Sequence, residues 1–173
     1  MPLPQFSALR DDDRLREDQR AFLDRLGDLL TTEKPSLVPL ESVSARIVGK
    51  RKGKAHVEVG IPNQGDLDLE LGLTVEPGAV VVSYGWYDHI HFGYGEPDPP
   101  VEEALGFVRD MLLGDVEVEI THGWLWTKVA TLRLDRSTGE RVEVQATSRL
   151  AVMAEGFRWP PRPREIRRIS FTR

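Results

Sequence analysis

The spacing of apolar residues near the N-terminus is that of an amphipathic helix. These residues recur every three or four positions, at Leu15, Phe22, Leu26 and Leu29. This period places them on one helical face and predicts a helix over this segment. The aspartates Asp11–Asp13 precede it, and we expect their carboxylates to cap its first turn. Proline at positions 35 and 39 ends any helical continuation.

From residue 42 onward apolar and polar residues alternate, which is the period of half-buried strands. The alternating or strand-like segments are residues 43–47, 56–60, 66–71, 79–92, 116–120, 124–134 and 142–144. The segment that starts at Ala79 is expected to run on through an aromatic stretch that ends near Phe92. Glycine-containing turns at residues 49–54 and 136–139 predict hairpins between neighbouring strands.

A second helical pattern interrupts the strands in the middle of the chain. Asp98 is followed by two prolines, which is a typical helix start, and Gly114 is a typical C-terminal stop. The apolar stripe between them is Val101, Ala104, Leu105, Val108 and Leu112. The pattern predicts a helix between these two signals.

Together these elements predict an α+β fold. We expect a largely antiparallel sheet of about seven strands, with the N-terminal helix and the mid-chain helix packed on one of its faces. Residues 1–157 are predicted to form a single α+β domain. Residues 158–173 are predicted to form a basic, proline-rich C-terminal tail that docks on that domain.

Composition excludes several classes of protein. The chain has 173 residues, of which 40% are hydrophobic, so it can build a packed core. It contains no cysteine, which removes disulfide scaffolds, thiolate zinc sites and cysteine nucleophiles. No apolar run approaches the ~20 residues that span a bilayer, and the first residues lack the apolar core of a secretory signal. We therefore expect a cytoplasmic protein without membrane contact.

Charge is distributed unevenly along the chain. The net charge is -5 overall, but residues 158–173 carry +5 and residues 1–157 carry -10. An acidic body repels nucleic acid and attracts basic proteins. Direct nucleic-acid binding is therefore not expected, and a basic protein is the expected partner. The basic tail is expected to fold back on the acidic body.

Two histidines in the aromatic segment are candidates for a metal site. On a strand, His89 and His91 point to the same face, ~7 Å apart along the chain. With His122 they could bind zinc, which would make a zinc-dependent enzyme or a metal-binding protein an alternative. The competing interpretation is a pair of exposed or hydrogen-bonded histidines on an ordinary strand. No other motif marks a catalytic site, so the sequence favours a non-catalytic protein.

Acidic and aromatic side chains form a candidate binding surface. Acids alternate with apolar residues in two strands, and aromatics bury large areas at interfaces with little loss of rotamer freedom. The simplest interpretation of the acids is a solvated sheet face; the next is a surface complementary to a basic partner. The predicted partner-binding residues are Asp66, Asp68, Glu70, Tyr87, Asp88, His89, His91, Tyr94, Glu117, Glu119 and Trp124.

One stretch resembles a known class of proteins. The aromatic strand 88–92, a short acidic and proline-containing loop, the helix Val101–Leu112 and an acid-alternating strand are similar to small immunity proteins of bacterial polymorphic toxin systems. The resemblance implies an inhibitor that binds a cognate toxin and has no catalytic turnover; no residue roles follow from it. If the toxin is a nuclease, an acidic face could occupy its basic site. A regulatory or structural subunit of another assembly is a further alternative.

Overall fold

The fold was analysed in a computed structural model. The structure describes residues 3–50, 54–65, 70–84, 88–93, 101–122, 126–150, 165–169 and 171. The chain divides into two compact units. The first unit is Met1–Arg109 with Phe171–Arg173, and the second is Asp110–Ser170. Each unit is described by itself below.

The helices of the described chain belong mainly to the first unit. They are α1 (Pro4–Arg10), α2 (Glu17–Glu33) and α3 (Val101–Leu112), with a short 3-10 turn at Leu40–Ser42. The predicted end of α3 is confirmed, since Gly114 has a φ of +81° and its N–H donates to the carbonyl of Met111. None of the helices in the described part of the chain has the length and apolar content that a membrane crossing requires.

Helix α2 begins later than the aspartates predicted. Its first residue is Glu17, and the backbone N–H of Arg16 donates to the side-chain oxygen of Gln19 at 3.0 Å. The predicted cap at Asp11–Asp13 is wrong because Asp12 has another partner. Its carboxylate accepts hydrogen bonds from the side chain and backbone of Arg14, and these hydrogen bonds lower the pKa of Asp12 to about 2.

The first unit contains a five-stranded antiparallel sheet. Its strands are β1 (Ser44–Val48), β2 (His56–Pro62), β3 (Glu70–Glu76), β4 (Ala79–Tyr84) and β5 (Asp88–Phe92), in the order β1-β2-β3-β4-β5. We call it the first sheet. The predicted continuous strand over residues 79–92 is wrong, because the chain turns back and β5 pairs with β4, with Ser83 opposite His89.

One face of the first sheet contributes to the core of the first unit. The side chains on this face are almost fully buried: Val57, Val59, Ile61, Leu71, Leu73, Val75, Val80, Val82 and Tyr84. Phe22, Leu26 and Leu30 of α2 are also buried. Gln19 links α2 to the sheet, because its side-chain amide donates to the carbonyls of Ala55 at 2.9 Å and Val75 at 3.0 Å.

The second unit contains a four-stranded antiparallel sheet. Its strands are β6 (Val116–His122), β7 (Trp126–Asp135), β8 (Glu140–Leu150) and β9 (Glu165–Ile169), in the order β8-β7-β6-β9. The predicted hairpin between β7 and β8 is confirmed, with Gly139 at a φ of +74° in the turn. Strand β9 comes from the basic C-terminal segment and pairs with β6, with Val118 opposite Ile169.

The α+β class and the antiparallel pairing are therefore confirmed, but the single sheet of about seven strands is wrong. The described strands form separate sheets of five and four strands. Period-two alternation identifies strands but does not determine which strands pair, since any neighbour satisfies the pattern. Packing of the helices on one face, the boundary after residue 157 and docking of the tail stay predictions.

Candidate functional site

The face of the first sheet opposite the core carries small and polar side chains. Along β3, exposed or half-buried Glu70, Gly72, Thr74 and Glu76 alternate with buried apolar residues. The same alternation places Ser83 of β4 on this face, and neighbouring strands continue it. We call this surface the open face of the first sheet.

A row of small residues crosses the open face from one edge strand towards the other. The strand registers pair Ser44 with Gly60, Gly60 with Gly72, and Gly72 with Ser83. Ser83 in turn lies opposite His89 on β5. Since neighbouring strands are ~4.8 Å apart, the row from β1 to β5 spans ~19 Å. The middle of the row has no side chains.

This row forms the floor of a trough of about 500 Å³. A Cβ added to Gly60 would collide with the carboxylate of Glu70 and lie 2.8 Å from the hydroxyl oxygen of Ser44. A Cβ added to Gly72 would collide with the hydroxyl of Ser83. Glycine weakens strands, and within a strand it often marks close approach of a ligand or another backbone. The paired glycines therefore identify the trough as the candidate site.

Glu70 supplies an available acceptor at the edge of the trough. It is exposed at the start of β3, and its carboxylate extends over Gly60. Within the described residues, the carboxylate of Glu70 forms no hydrogen bond or ion pair. A carboxylate accepts several hydrogen bonds, so Glu70 can receive a donor from a bound group.

Glu58 is engaged in a local network. Nε of Arg46 donates to Oε2 of Glu58 at 2.6 Å, and Nε2 of His56 lies 3.2 Å from Oε1. Partial burial alone would raise the pKa of Glu58, but the hydrogen bonds with Arg46 and His56 outweigh it and hold this pKa below its usual range. Arg46 is therefore paired and does not neutralise Glu70.

The two candidate histidines lie on the same face of β5, as predicted, and this is the open face. His89 is opposite Ser83 and His91 is opposite Val81, so both project from the same side of β5. Both are exposed, and their ring centroids are 4.9 Å apart in an edge-to-face arrangement. The first sheet thus brings Glu70, His89 and His91 to one face.

The other predicted residues are divided between the two units or lie outside the described chain. Asp88 starts β5 opposite buried Tyr84, with the parity opposite to that of the histidines. His122, Glu117 and Glu119 are on β6 in the second unit. The predicted residues outside the described ones are Asp66, Asp68, Tyr87, Tyr94 and Trp124.

In the second unit, Glu117 is already paired. Arg141 contacts its carboxylate at 2.9 Å and also donates to the carbonyls of Gly114 at 2.8 Å and Asp115 at 3.0 Å. Glu119 lies between Ala130 on β7 and Arg168 on β9 in the strand register. The acids of β6 therefore include at least one with a structural partner.

The predicted zinc ligands belong to different units, with His89 and His91 in the first and His122 in the second. In the part of the chain that the structure describes, no group of three or more His, Asp or Glu side chains is arranged to hold a metal ion. The zinc hypothesis therefore stays a prediction.

Sequence reasoning missed the floor of the site. Gly60 and Gly72 occupy positions where a polar residue would continue the alternation of β2 and β3. An interior strand glycine on the polar side was the available signal. Its meaning depends on the register, which places the two glycines opposite each other.

No protein-family model, curated protein or solved structure matches this chain. A proposal for its function therefore rests on its residues and on the geometry of the open face.

Proposed function

We propose that the protein is a non-catalytic binding protein, an immunity protein that binds and neutralises a cognate toxin in the cytoplasm. The observation that carries this proposal is the trough on the open face, with its glycine floor and the available carboxylate of Glu70. His89 and His91 lie on the same face and add exposed polar rings to the surface. Such a surface offers a concave shape and hydrogen-bond acceptors to a segment of a partner protein.

Charge supports a basic partner. Residues 1–157 carry a net charge of -10. Acidic surfaces accelerate encounter with basic proteins and disfavour acidic ones, an effect that salt weakens. The side chains that line the trough include Arg46, Glu58 and Glu70, which gives the trough a net charge of -1.

The size of the open face is compatible with part of a specific interface. Five strands at ~4.8 Å spacing and roughly 20 Å in length give an area on the order of 500 Å². A standard interface covers about 800 Å² on each partner. The open face would therefore supply the centre of the interface, and neighbouring segments would supply its rim.

The test combines capture of a partner with a functional readout. Tagged protein is incubated with native lysate, and the captured protein is then expressed alone in a bacterial host. We expect one stoichiometric partner that arrests growth and is neutralised by co-expression of the wild-type chain. The combined change Glu70→Lys and His89→Ala should abolish neutralisation, since both residues lie on the open face.

A matched control replaces a carboxylate elsewhere in the first unit. Glu103 is exposed on α3 and does not line the trough, so Glu103→Lys should retain neutralisation. Equal neutralisation by the open-face variant and the control would refute the proposal. A stoichiometric partner without toxicity would instead support a regulatory or structural subunit.

The second candidate function is metal binding at His89 and His91. It is favoured by the 4.9 Å separation of their ring centroids on one exposed face. Zinc titration of the purified chain by calorimetry tests it, and His89→Ala should remove the binding. Zinc bound equally by the wild type and by the variant would rule out this pair as the ligands.

A further inference from the structure

We propose that the trough receives one arginine side chain of the partner, with its guanidinium bound by Glu70. This inference rests on the proposed function and names the group that the open face would recognise. The trough volume of about 500 Å³ lies within the range of ~300–1,000 Å³ seen in small-ligand sites. It has room for a long side chain and part of its backbone.

The acceptors around the trough match a donor with several N–H groups. Glu70 presents its carboxylate above Gly60, and the hydroxyl of Ser44 lies beside the same glycine. The hydroxyl of Ser83 donates to the carbonyl of Gly72 at 3.3 Å, which leaves its own oxygen able to accept. A guanidinium carries five donors in a planar fork and pairs bidentately with carboxylates.

The cation already present does not compete for Glu70. Nε of Arg46 donates to Glu58 at 2.6 Å, and its Nη2 lies 2.5 Å from the same carboxylate oxygen. Arg46 is thus held by Glu58, which lies opposite it in the β1–β2 register. This pair is the next one along the open face from Ser44 and Gly60. The negative charge of Glu70 remains for a cation from outside.

The glycine floor explains why a planar group fits. Gly60 and Gly72 lie side by side on neighbouring strands, and the carboxylate of Glu70 and the hydroxyl of Ser83 occupy the space that their side chains would fill. A flat guanidinium can lie against these two oxygens above the glycines, whereas a Cβ at either position would push the oxygens away from it. The steric obstacles to those Cβ atoms are flexible side-chain ends, of Glu70 and Ser44 at Gly60 and of Ser83 at Gly72. Alanine at either position can therefore be accommodated by the fold.

The test is a nuclear magnetic resonance titration of the ¹⁵N-labelled full chain with Nα-acetyl-arginine methylamide. We expect the amide signals of Gly60 and Gly72 to shift, with a Kd on the order of millimolar. The citrulline analogue has the same shape without charge and should bind at least fivefold more weakly. Glu70→Gln and Gly72→Ala should each weaken arginine binding at least fivefold. Gly106→Ala adds the same methyl group to open space on α3 and should not change binding.

The inference is overturned by the absence of a shift at either glycine, by equal binding of the citrulline analogue, or by unchanged binding of the arginine derivative to Glu70→Gln. Equal binding of the lysine derivative would overturn the assignment to a guanidinium. These outcomes are separable from failure of the proposed function. If neutralisation depends on the open face while the arginine derivative does not bind, only this inference fails. If the derivative binds and no toxic partner exists, the proposed function fails instead.

Discussion

Replacing Gln19 tests how α2 is held to the first sheet. Gln19 is fully buried, and its amide donates to the carbonyls of Ala55 and Val75 while its oxygen accepts from the backbone of Arg16. The change Gln19→Met keeps a similar length and removes all three hydrogen bonds. The two carbonyls belong to residues that are themselves buried, so water cannot easily replace the amide.

The expected loss of stability follows from the polar groups that lose their hydrogen-bond partner in Gln19→Met. A buried polar group without its partner costs ~1–3 kcal/mol. Arg16 precedes the helix and can reach solvent more easily, and a strand carbonyl can keep one ladder hydrogen bond. We therefore expect Gln19→Met to lower the free energy of unfolding by about 2–4 kcal/mol. This is a large fraction of the ~5–15 kcal/mol that stabilises a typical domain.

Urea unfolding monitored by circular dichroism measures this change, with hydrogen exchange of residues 17–33 as a local readout. With a slope of ~2 kcal/mol/M, the midpoint should fall by about 1–2 M. Asp28→Asn changes an exposed residue of the same helix and should leave the midpoint within ~0.3 M. Gln19→Glu should cost more at pH 7 than at pH 4, since a carboxyl group donates only when protonated. A cost below ~1 kcal/mol for Gln19→Met would refute this reasoning.

Three further predictions concern the core, the second unit and pH. Phe22→Ala should lower the free energy of unfolding in urea by ~3–5 kcal/mol, because removal of the fully buried ring leaves a cavity. A loss below ~1 kcal/mol would contradict the burial of this ring. Arg141→Lys should accelerate hydrogen exchange of the β6 amides, because an ammonium cannot reproduce the guanidinium hydrogen bonds to Gly114, Asp115 and Glu117. Unchanged exchange would show that these hydrogen bonds do not stabilise β6. The lowered pKa of Glu58 means that its stabilising effect is complete above the unfolded-state pKa and disappears as pH falls through the folded-state pKa. The difference in melting temperature between wild type and Glu58→Gln should therefore be constant above about pH 5 and shrink below about pH 4; a constant difference down to pH 3 would contradict it.

Much of the secondary structure follows from local pattern. The helical stripe from Leu15 predicted α2, and the glycine after the second stripe predicted the end of α3. Alternation predicted most strands, because burial on one face imposes a period of two. Helix α1 was missed because it has seven residues and a single buried side chain, Phe6, which creates no repeating stripe.

The pairing of strands could not be predicted from alternation. The chain forms sheets of five and four strands, and the continuous segment expected over residues 79–92 contains two strands that pair with each other. Both arrangements bury the same apolar residues, so the local pattern does not distinguish them. The capping prediction failed for a similar reason, since Asp12 was equally able to pair with the nearby Arg14.

The candidate site was predicted only through its charged and aromatic members. Alternation correctly placed His89 and His91 on one face, and Glu70 joins them there. Gly60 and Gly72 each interrupt the polar positions of a strand, but this signal does not show that the two glycines pair, because their pairing depends on the register of β2 and β3. A site whose floor consists of glycines can be recognised only once the pairing of the strands is known.

The most direct test of the central claim is the affinity of the purified partner for two alanine variants, measured by isothermal titration calorimetry. Gly72→Ala places a methyl group in the trough, whereas Gly106→Ala places the same group in open space on α3. If the open face binds the partner, Gly106→Ala keeps the wild-type Kd and Gly72→Ala raises it at least tenfold, a loss of about 1.4 kcal/mol. Equal affinities for the two folded variants would contradict the account and place the binding surface elsewhere on the chain.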